Sequence, residues 1–327
     1  MSASGSLEKK DTDVPDSSKP QDTDFRQQRL RAWQPLLTPT YVISTFAITG
    51  LIFVIIGIVI LVTSRDVVEL EMQYSEDSPN PVLEFPITQK MSKPVYVYYK
   101  LTNFYQNHRR YVKSRSDTQL AGKSGSLSTC DPLETYPDPD DGNAIKTLYP
   151  CGLVANSFFN DNFVAKYQPP GGGPDEDLDI DPTDIAWSTD RKTKFKELYP
   201  DDNLPADLSR NGPHGEMPKL NDERFIVWMR SAGLPTFKKL YGKIDQDLEK
   251  GSVLKITVDK NEFKVAAFGG TKAVVVSTAS WLGGKNNFLG LAYVIVGGVC
   301  LLLAIIFKIK APRELGAIAY FKAKARS

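Results

Sequence analysis

Two stretches of this chain carry no charge, and each is long enough to cross a lipid bilayer. Residues 32–64 contain no Asp, Glu, Lys or Arg, and within them 41–63 (YVISTFAITGLIFVIIGIVILVT) is predominantly apolar over 23 positions. The second stretch, 286–307, reads NNFLGLAYVIVGGVCLLLAIIF. At about 1.5 Å of rise per residue, a helix of either length spans a hydrocarbon core about 30 Å thick. A wholly soluble protein is excluded. No removable signal peptide is expected, because the first run starts forty residues in and is too long for a signal h-region.

Charge predicts the orientation. Residues 1–40 carry six Lys/Arg and six Asp/Glu, residues 64–285 carry 28 and 32, and residues 308–327 carry six and one. Arg26, Arg29 and Arg31 approach the first span, and Lys308, Lys310 and Arg313 follow the second. Basic flanks favour the cytosol. Both termini are therefore expected there, with the intervening segment outside or lumenal. The expected boundaries are a cytosolic tail with a juxtamembrane strip over 1–40, spans over 41–63 and 286–307, an ectodomain over 64–285 and a basic cytosolic tail over 308–327. Of three cysteines, Cys300 sits in the second span, and Cys130 and Cys151 lie where an oxidising compartment would let them pair. The alternative is two free buried thiols.

Residues 1–24 are polar and predict disorder. The segment 25–39 mixes Arg with Phe25, Leu30 and Trp33, which suits either a headgroup-level anchor or a docking strip for a partner. Ala47, Gly50 and Gly57 share one face of the first span; Gly290, Gly297 and Ala304 share one face of the second. Small residues on a stripe let helices approach closely in lipid, so the stripes can face each other or another membrane protein. With no ionisable group inside either span, nothing relays protons at the midplane.

The segment between the spans reads as β structure. Residues 95–101 (VYVYYKL) are β-branched and aromatic, and Leu254, Ile256 and Val258 alternate with polar neighbours. Residues 263–268 and 273–278 predict two further strands around Gly269-Gly270. One helix is expected, with Asn221 as N-cap and Gly233 and Pro235 as its stop. The acidic, turn-rich stretch 168–184 predicts a solvated loop rather than a calcium site, since it lacks the glycine and closing Glu of an EF-hand. The fold class is thus an integral membrane protein with two transmembrane α-helices and a large, mainly antiparallel-β ectodomain with few helices.

Chemistry is sparse. His108 and His214 are the only histidines, with no G-x-S-x-G or H-E-x-x-H motif near them. His108 is expected to join a polar network with Arg109 and Arg110. GKS at 122–124 lacks the upstream glycine of a phosphate loop. The basic, aromatic stretch 100–115 does not predict nucleic-acid binding in an external domain; it suits a packed aromatic patch, a headgroup anchor or a protein contact. No cofactor or metal is implied, and there is no N-x-S/T sequon.

Several long strings then occur together: FRQQRLRAWQPLLTP, VYVYYKLTNFYQNHRRYV, YPCGLVANSFFND, IAWSTDR, ERFIVWMRSAGLPTFKKLYG, FGGTK and GGKNNFLGLAYVIVGG. In this order they resemble the cell division control protein 50 family, the β-subunits of type IV P-type ATPases, over about residues 25–310. The resemblance implies a non-catalytic subunit that forms a heterodimer with the ATPase α-subunit. It also implies that this subunit lets the ATPase leave the endoplasmic reticulum and supports its movement of phospholipid from the exoplasmic to the cytosolic leaflet. Implied compartments are the endoplasmic reticulum, Golgi or endosome, and plasma membrane. By resemblance, Cys130 and Cys151 match a family disulfide; Arg26, Arg29, Arg31 and Trp33 match a cytosolic strip that meets the ATPase. Asn103, Phe104, Tyr105, His108, Arg109 and Arg110 fall in a stretch near the partner's external loops. Two departures stand out: residues 66–93 lack the cysteines of a second family disulfide, and glycosylation sequons are missing. Competing readings are an independent two-pass receptor or adhesion protein with a ligand-binding β ectodomain, an ecto-hydrolase using His108 or His214, and a channel-forming assembly.

Overall fold

A computed structural model of the chain describes residues 22–30, 38–123, 127–200, 203–279 and 283–310. Helix α1 (Pro39–Arg65) covers the first apolar run. After Asp66, Val67 and Val68 come strands β1 (Glu69–Tyr74), β2 (Val82–Pro86) and β3 (Val95–Leu101). Short helices α2 (Arg109–Lys113) and α3 (Asp117–Leu120) lead to a hairpin of β4 (Thr135–Asp138) and β5 (Ala144–Leu148). Then follow α4 (Leu153–Asn156), β6 (Asn162–Gln168), β7 (Glu176–Leu178) and α5 (Ser188–Thr193). Two-residue strands β8 (Leu208–Ser209), β9 (Asn211–Gly212) and β10 (Gly215–Glu216) precede α6 (Glu223–Met229). The last described elements are β11 (Phe237–Ile244), β12 (Val253–Lys260), β13 (Lys272–Ser277) and helix α7 (Asn287–Lys310).

Among the described residues, α1 and α7 are the two helices long and apolar enough to cross a membrane. Their outward faces are exposed and apolar: Ile48, Leu51, Ile55 and Val59 on one, Leu291, Ile295, Val299 and Leu302 on the other. Such a surface is stable only against lipid or another membrane segment. The chain is an integral membrane protein with two transmembrane helices.

The chain divides into two compact units, with boundaries at Ile52/Phe53 and Val296/Gly297. In the first, a Cβ placed on Gly50 would lie 2.9 Å from the Gly297 carbonyl oxygen and 3.0 Å from Leu301 N. Phe46 and Phe307 pack at 5.8 Å. In the second unit, a Cβ on Gly57 would lie 2.8 Å from Val294 N and 2.9 Å from the Gly290 oxygen, and one on Gly290 would meet Leu61. Side-chain-free positions let the backbones touch, which is how helices associate where water supplies no hydrophobic drive. The small residues recur every seven positions, at 50, 57 and 64 and at 290, 297 and 304. That period keeps one helix face in register with a partner.

The second unit also holds two four-stranded antiparallel sheets. Sheet A has the order β1-β13-β3-β11 and sheet B the order β2-β12-β6-β7. Alternation assigns the faces. Val95, Val97, Tyr99 and Leu101 of β3 point inward, as do Leu254, Ile256 and Val258 of β12. The sheets meet through aromatic rings: Phe163 of β6 lies 4.5 Å from Tyr241 of β11 and 6.2 Å from Tyr74 of β1. β13 is buried at all six positions. Its outer face is covered by ion pairs that stride across it, Glu71–Lys100 at 2.7 Å and Glu69–Lys238 at 2.5 Å. Its inner face carries Lys272, fully buried, whose Nζ donates to Asp161 and Asn261 at 2.6 Å and to the Phe263 carbonyl at 2.7 Å. Saturation of the ammonium by acceptors is what makes a buried charge tolerable.

Three local expectations change. Residues 263–268 do not form a strand. The Asp161 carboxylate takes the Phe263 N–H, and Glu76 takes those of Val265 and Ala266, so side chains replace a ladder and Ala266–Phe268 forms a 3₁₀ turn. The N-cap of α6 is Asp222, not Asn221; its carboxylate accepts from Arg224 N and Phe225 N at 2.8 and 3.2 Å. The acidic stretch is not wholly loop, since β7 adds an edge to sheet B and Asp175 pairs with Lys255 at 2.9 Å.

The Cys130–Cys151 disulfide, with Cα atoms 5.7 Å apart, closes the base of the β4–β5 hairpin. At the hairpin tip Asp138 accepts from Asn211 at 2.8 Å and Lys146 at 3.1 Å. The hydrogen bond from Asn211, then that from Lys146, hold its carboxyl down at about 2.

Two predictions follow from this packing. Gly57→Leu must displace backbone and should destabilise the detergent-purified chain by about 2 kcal/mol, whereas Gly298→Leu, where a Cβ meets nothing within 4 Å, should leave the melting temperature unchanged. Because the folded pKa of Asp138 lies below the unfolded value of about 3.9, its stabilisation is present above pH about 4 and is lost as pH falls toward 2. Hydrogen exchange at the hairpin amides, corrected for intrinsic rates, should therefore accelerate over that window in the parent and stay flat in Asp138→Asn.

Candidate partner interface

The segment after β3 leaves sheet A at the end opposite the helices. β1 starts just after α1, β13 ends just before α7, and β3 runs antiparallel to β13 over six rungs. At about 3.4 Å per residue the segment lies about 20 Å along the sheet from the helix attachments.

Asn103 turns the chain with φ 57°, and its side-chain amide donates to the Phe268 carbonyl. Phe104 N donates to Pro235 O at 3.0 Å, and its ring meets Phe268 at 5.0 Å, Trp228 at 5.7 Å and Tyr111 at 5.8 Å. Gln106 is fully buried and accepts from Ala232 N at 2.9 Å. Asn107 donates to the Gly233 carbonyl at 2.9 Å. Both Asn103, which stays exposed, and the half-buried Phe104 are thus held in place by the fold. Tyr105, 55% exposed, and the exposed His108, Arg109 and Arg110 face outward. The expected network among the last three does not form: among the described residues no hydrogen bond or ion pair joins their side chains, because they fan out from the start of α2 into solvent.

The disulfide fixes this surface from behind. Ser114 Oγ donates to the Cys130 carbonyl at 3.0 Å and accepts from Leu153 N at 2.9 Å. Gln119 Oε1 accepts from Cys151 N at 2.9 Å. Gly152, at φ 99°, lies so close that a Cβ would sit 2.3 Å from the Ser114 oxygen. Tyr111 shares a 2.7 Å hydrogen bond with Ser157, and burial pushes its hydroxyl up to about 12. The result is a cavity of about 1000 Å³ lined by His108, Arg110, Lys113, Thr129 and Leu153 among others. Arg109, Arg110 and Lys113 form no ion pair among the described residues, whereas most cations of sheets A and B do. Unpaired fixed charge on a rigid patch produces a local positive potential.

A second junction joins two of the sequence strings. Glu223, in the first turn of α6, accepts from the N–H groups of Asp184, Ile185 and Ala186 at 2.8–3.0 Å and from Arg191 at 2.9 Å. Asp190 is 2% exposed and binds Arg230 Nε at 2.6 Å, and that hydrogen bond holds its carboxyl below the usual range. Arg230 in turn lies 4.2 Å over the Trp187 ring, which is 65% exposed.

Of the juxtamembrane strip, Arg26 and Arg29 are exposed; Arg29 reaches Asp22 at 3.6 Å, both being largely in solvent. Arg31 and Trp33 lie outside the described residues. Gly50, Gly57, Gly290, Gly297 and Ala304 are buried and Ala47 is half-buried. Sequence reasoning missed Gln106, Glu223 and Ser64. The last carried only a weak signal, a hydroxyl beside Thr63 and Arg65 at the end of the first span.

The profile of the LEM3 (ligand-effect modulator 3) family / CDC50 family matches residues 60–313. The chain is 40% identical to ALA-interacting subunit 3 of Arabidopsis thaliana, over 93% of this chain and 90% of that one. It is 37% identical to cell cycle control protein 50A of Mus musculus, over 88% of each. It is 35% identical to the phospholipid-transporting ATPase accessory subunit CRF1 of Saccharomyces cerevisiae, over 93% of this chain and 88% of that one. A match over most of the chain, from the last turns of α1 through both sheets and all of α7, places this protein in the LEM3/CDC50 family.

Proposed function

We propose that this chain is a non-catalytic accessory subunit of a phospholipid-transporting type IV P-type ATPase, needed for the assembly, export from the endoplasmic reticulum and transport cycle of its catalytic α-subunit. The observation that carries the reading is end-to-end similarity to a protein named as an accessory subunit of such an ATPase and to others named as interacting subunits. The fold is compatible with it. Two helices with lipid-type outer faces offer a membrane surface for a partner, and the sheet domain presents a rigid cationic face. Basic residues flanking both spans support cytosolic termini and an exoplasmic sheet domain. The resulting complex works in the endoplasmic reticulum, Golgi or endosomal membranes, or the plasma membrane. On this topology Arg26, Arg29, Arg31 and Trp33 meet the ATPase on the cytosolic side. Asn103, Phe104, Tyr105, His108, Arg109 and Arg110 belong to the stretch that meets it outside, and the accessory chain itself hydrolyses nothing. To influence the pump, the subunit must bind some of its conformational states better than others.

The test is purification of the tagged protein from its own membranes in mild detergent with mass spectrometry of what accompanies it. A type IV P-type ATPase in near-equal amount is the expected result; isolation of the chain alone, under conditions that hold known subunit pairs together, would overturn the reading. Arg29→Glu with Arg31→Glu should lower the co-purified ATPase severalfold without changing the melting temperature of the sheet domain, since Arg29 is exposed.

A further inference from the structure

The membrane helices and sheet A are tied by side chains to which the accessory role assigns nothing. α1 ends at Arg65 and β1 begins at Glu69; β13 ends at Ser277 and α7 begins at Asn287. Four Cα steps on the first side limit the separation of helix end and strand start to about 14 Å. Within that space both connections are cross-linked. Ser64 is 6% exposed; its Oγ donates to Asn287 Oδ1 at 2.8 Å and accepts from Asn286 N at 2.9 Å. A helical serine ordinarily bonds back to its own preceding turn; this one crosses to the other helix. Asn286 is at the same time the cap of α7, its Oδ1 accepting from Leu289 N at 3.2 Å. One level further on, Val68 N donates to Thr278 Oγ1 and Thr278 N donates to the Val68 carbonyl, both at 3.0 Å. The ladder of sheet A then starts with Glu69 opposite Ser277. Val67, 2% exposed, adds apolar burial at the same level. Among the described residues, ties between the two chain segments thus occur at Ser64, at Val68 and at Glu69.

We propose that Ser64, Asn286 and Asn287 are positioning residues that lock the inner ends of α1 and α7 to each other beside the first rung of sheet A. A shift of the last turn of α1 is then shared with the first turn of α7 instead of being absorbed in one connection. The consequence for a partner rests on the accessory-subunit reading: a catalytic subunit that displaces the inner end of one helix displaces that of the other with it, so its state can bias the junction at which sheet A starts.

The test compares Ser64→Ala with Ser64→Thr in the detergent-purified full chain and in its complex. Loss of the hydroxyl should accelerate hydrogen exchange at residues 66–68 and at the Asn286 amide roughly tenfold, with exchange in the β12 amides unchanged; Ser64→Thr should behave as the parent. In the complex, Ser64→Ala should retain the ATPase in parent amounts while lowering its lipid-stimulated ATP hydrolysis, and Ser64→Thr should restore it. Unchanged exchange in Ser64→Ala overturns the lock. Faster exchange with full hydrolysis overturns its positioning role. If no ATPase accompanies even the parent, the accessory reading fails, and the exchange data alone decide whether the junction is rigid. Should Ser64→Ala fail to fold, Asn287→Ala removes the acceptor while leaving the serine, and the same two readouts apply.

Discussion

The fold depends on the two ends of the chain meeting each other twice. α1 and α7 touch along glycines, and directly beyond them β1 and β13 pair over six rungs. Neither pairing is local: a rung such as Met72–Val274 joins residues about two hundred positions apart. Closing so long a loop is entropically expensive, though the cost grows only slowly with length. A membrane reduces it, because two helices confined to a bilayer start antiparallel and near each other. The helix pair thereby prepares the strand pair, and β3 and β11 extend the sheet from an edge that already exists. The order β1-β13-β3-β11 reflects this, with the last strand placed between the first and the third.

What could be read from sequence follows from which residues have a local reason for their conformation. The spans were legible because lipid demands long uncharged runs. β3 and β12 were legible because one wet face and one dry face impose a period of two. β13 was readable as a strand but not as one buried on both sides, since its cover comes from Glu69, Glu71, Lys100 and Lys238 on three other strands. The stretch 263–268 looked like a strand because it is apolar. It is apolar because Phe263 and Phe268 join the cluster around Phe104 and Trp228, while Asp161 and Glu76, each about a hundred or more residues away, take its backbone N–H groups. The cationic segment 108–110 showed its charge in the sequence but not its exposure, which depends on Phe104 and Gln106 being drawn inward on the same loop.

Two lysines show how the sheet domain fixes its elements. Lys272 holds the start of β13 to Asp161, Asn261 and the Phe263 carbonyl. Lys239 donates to the carbonyls of Val227, Trp228 and Arg230, at the C-terminal end of α6. Burial lowers the pKa of both; Lys239 is brought down to about 7, with Arg230 adding repulsion. A methionine of similar length would avoid that desolvation but would leave three helix-end carbonyls without donors. The unpaired carbonyls would cost more than the charge, because each buried polar group without a partner is penalised in full. A cation there also opposes the negative end of the helix dipole.

The same reasoning separates the interior cations from those on α2. The buried Lys272 and Lys239 are each surrounded by acceptors, and on the sheet surfaces Lys100, Lys166, Lys238 and Lys255 each find a carboxylate on or beside another strand. Arg109, Arg110 and Lys113 do neither, although the surrounding segment carries more acidic than basic residues. Exposed cations need no partner for stability, so folding does not explain their clustering on one short helix. Nor does folding require that helix to be held as firmly as it is, by Tyr111, Ser114 and the Cys130–Cys151 bridge. Rigidity lowers the entropy lost when a charged surface is engaged from outside. A cationic face fixed by a disulfide, and set about 20 Å along the sheet from the helix attachments, is therefore one that can be engaged with little reordering of its own backbone.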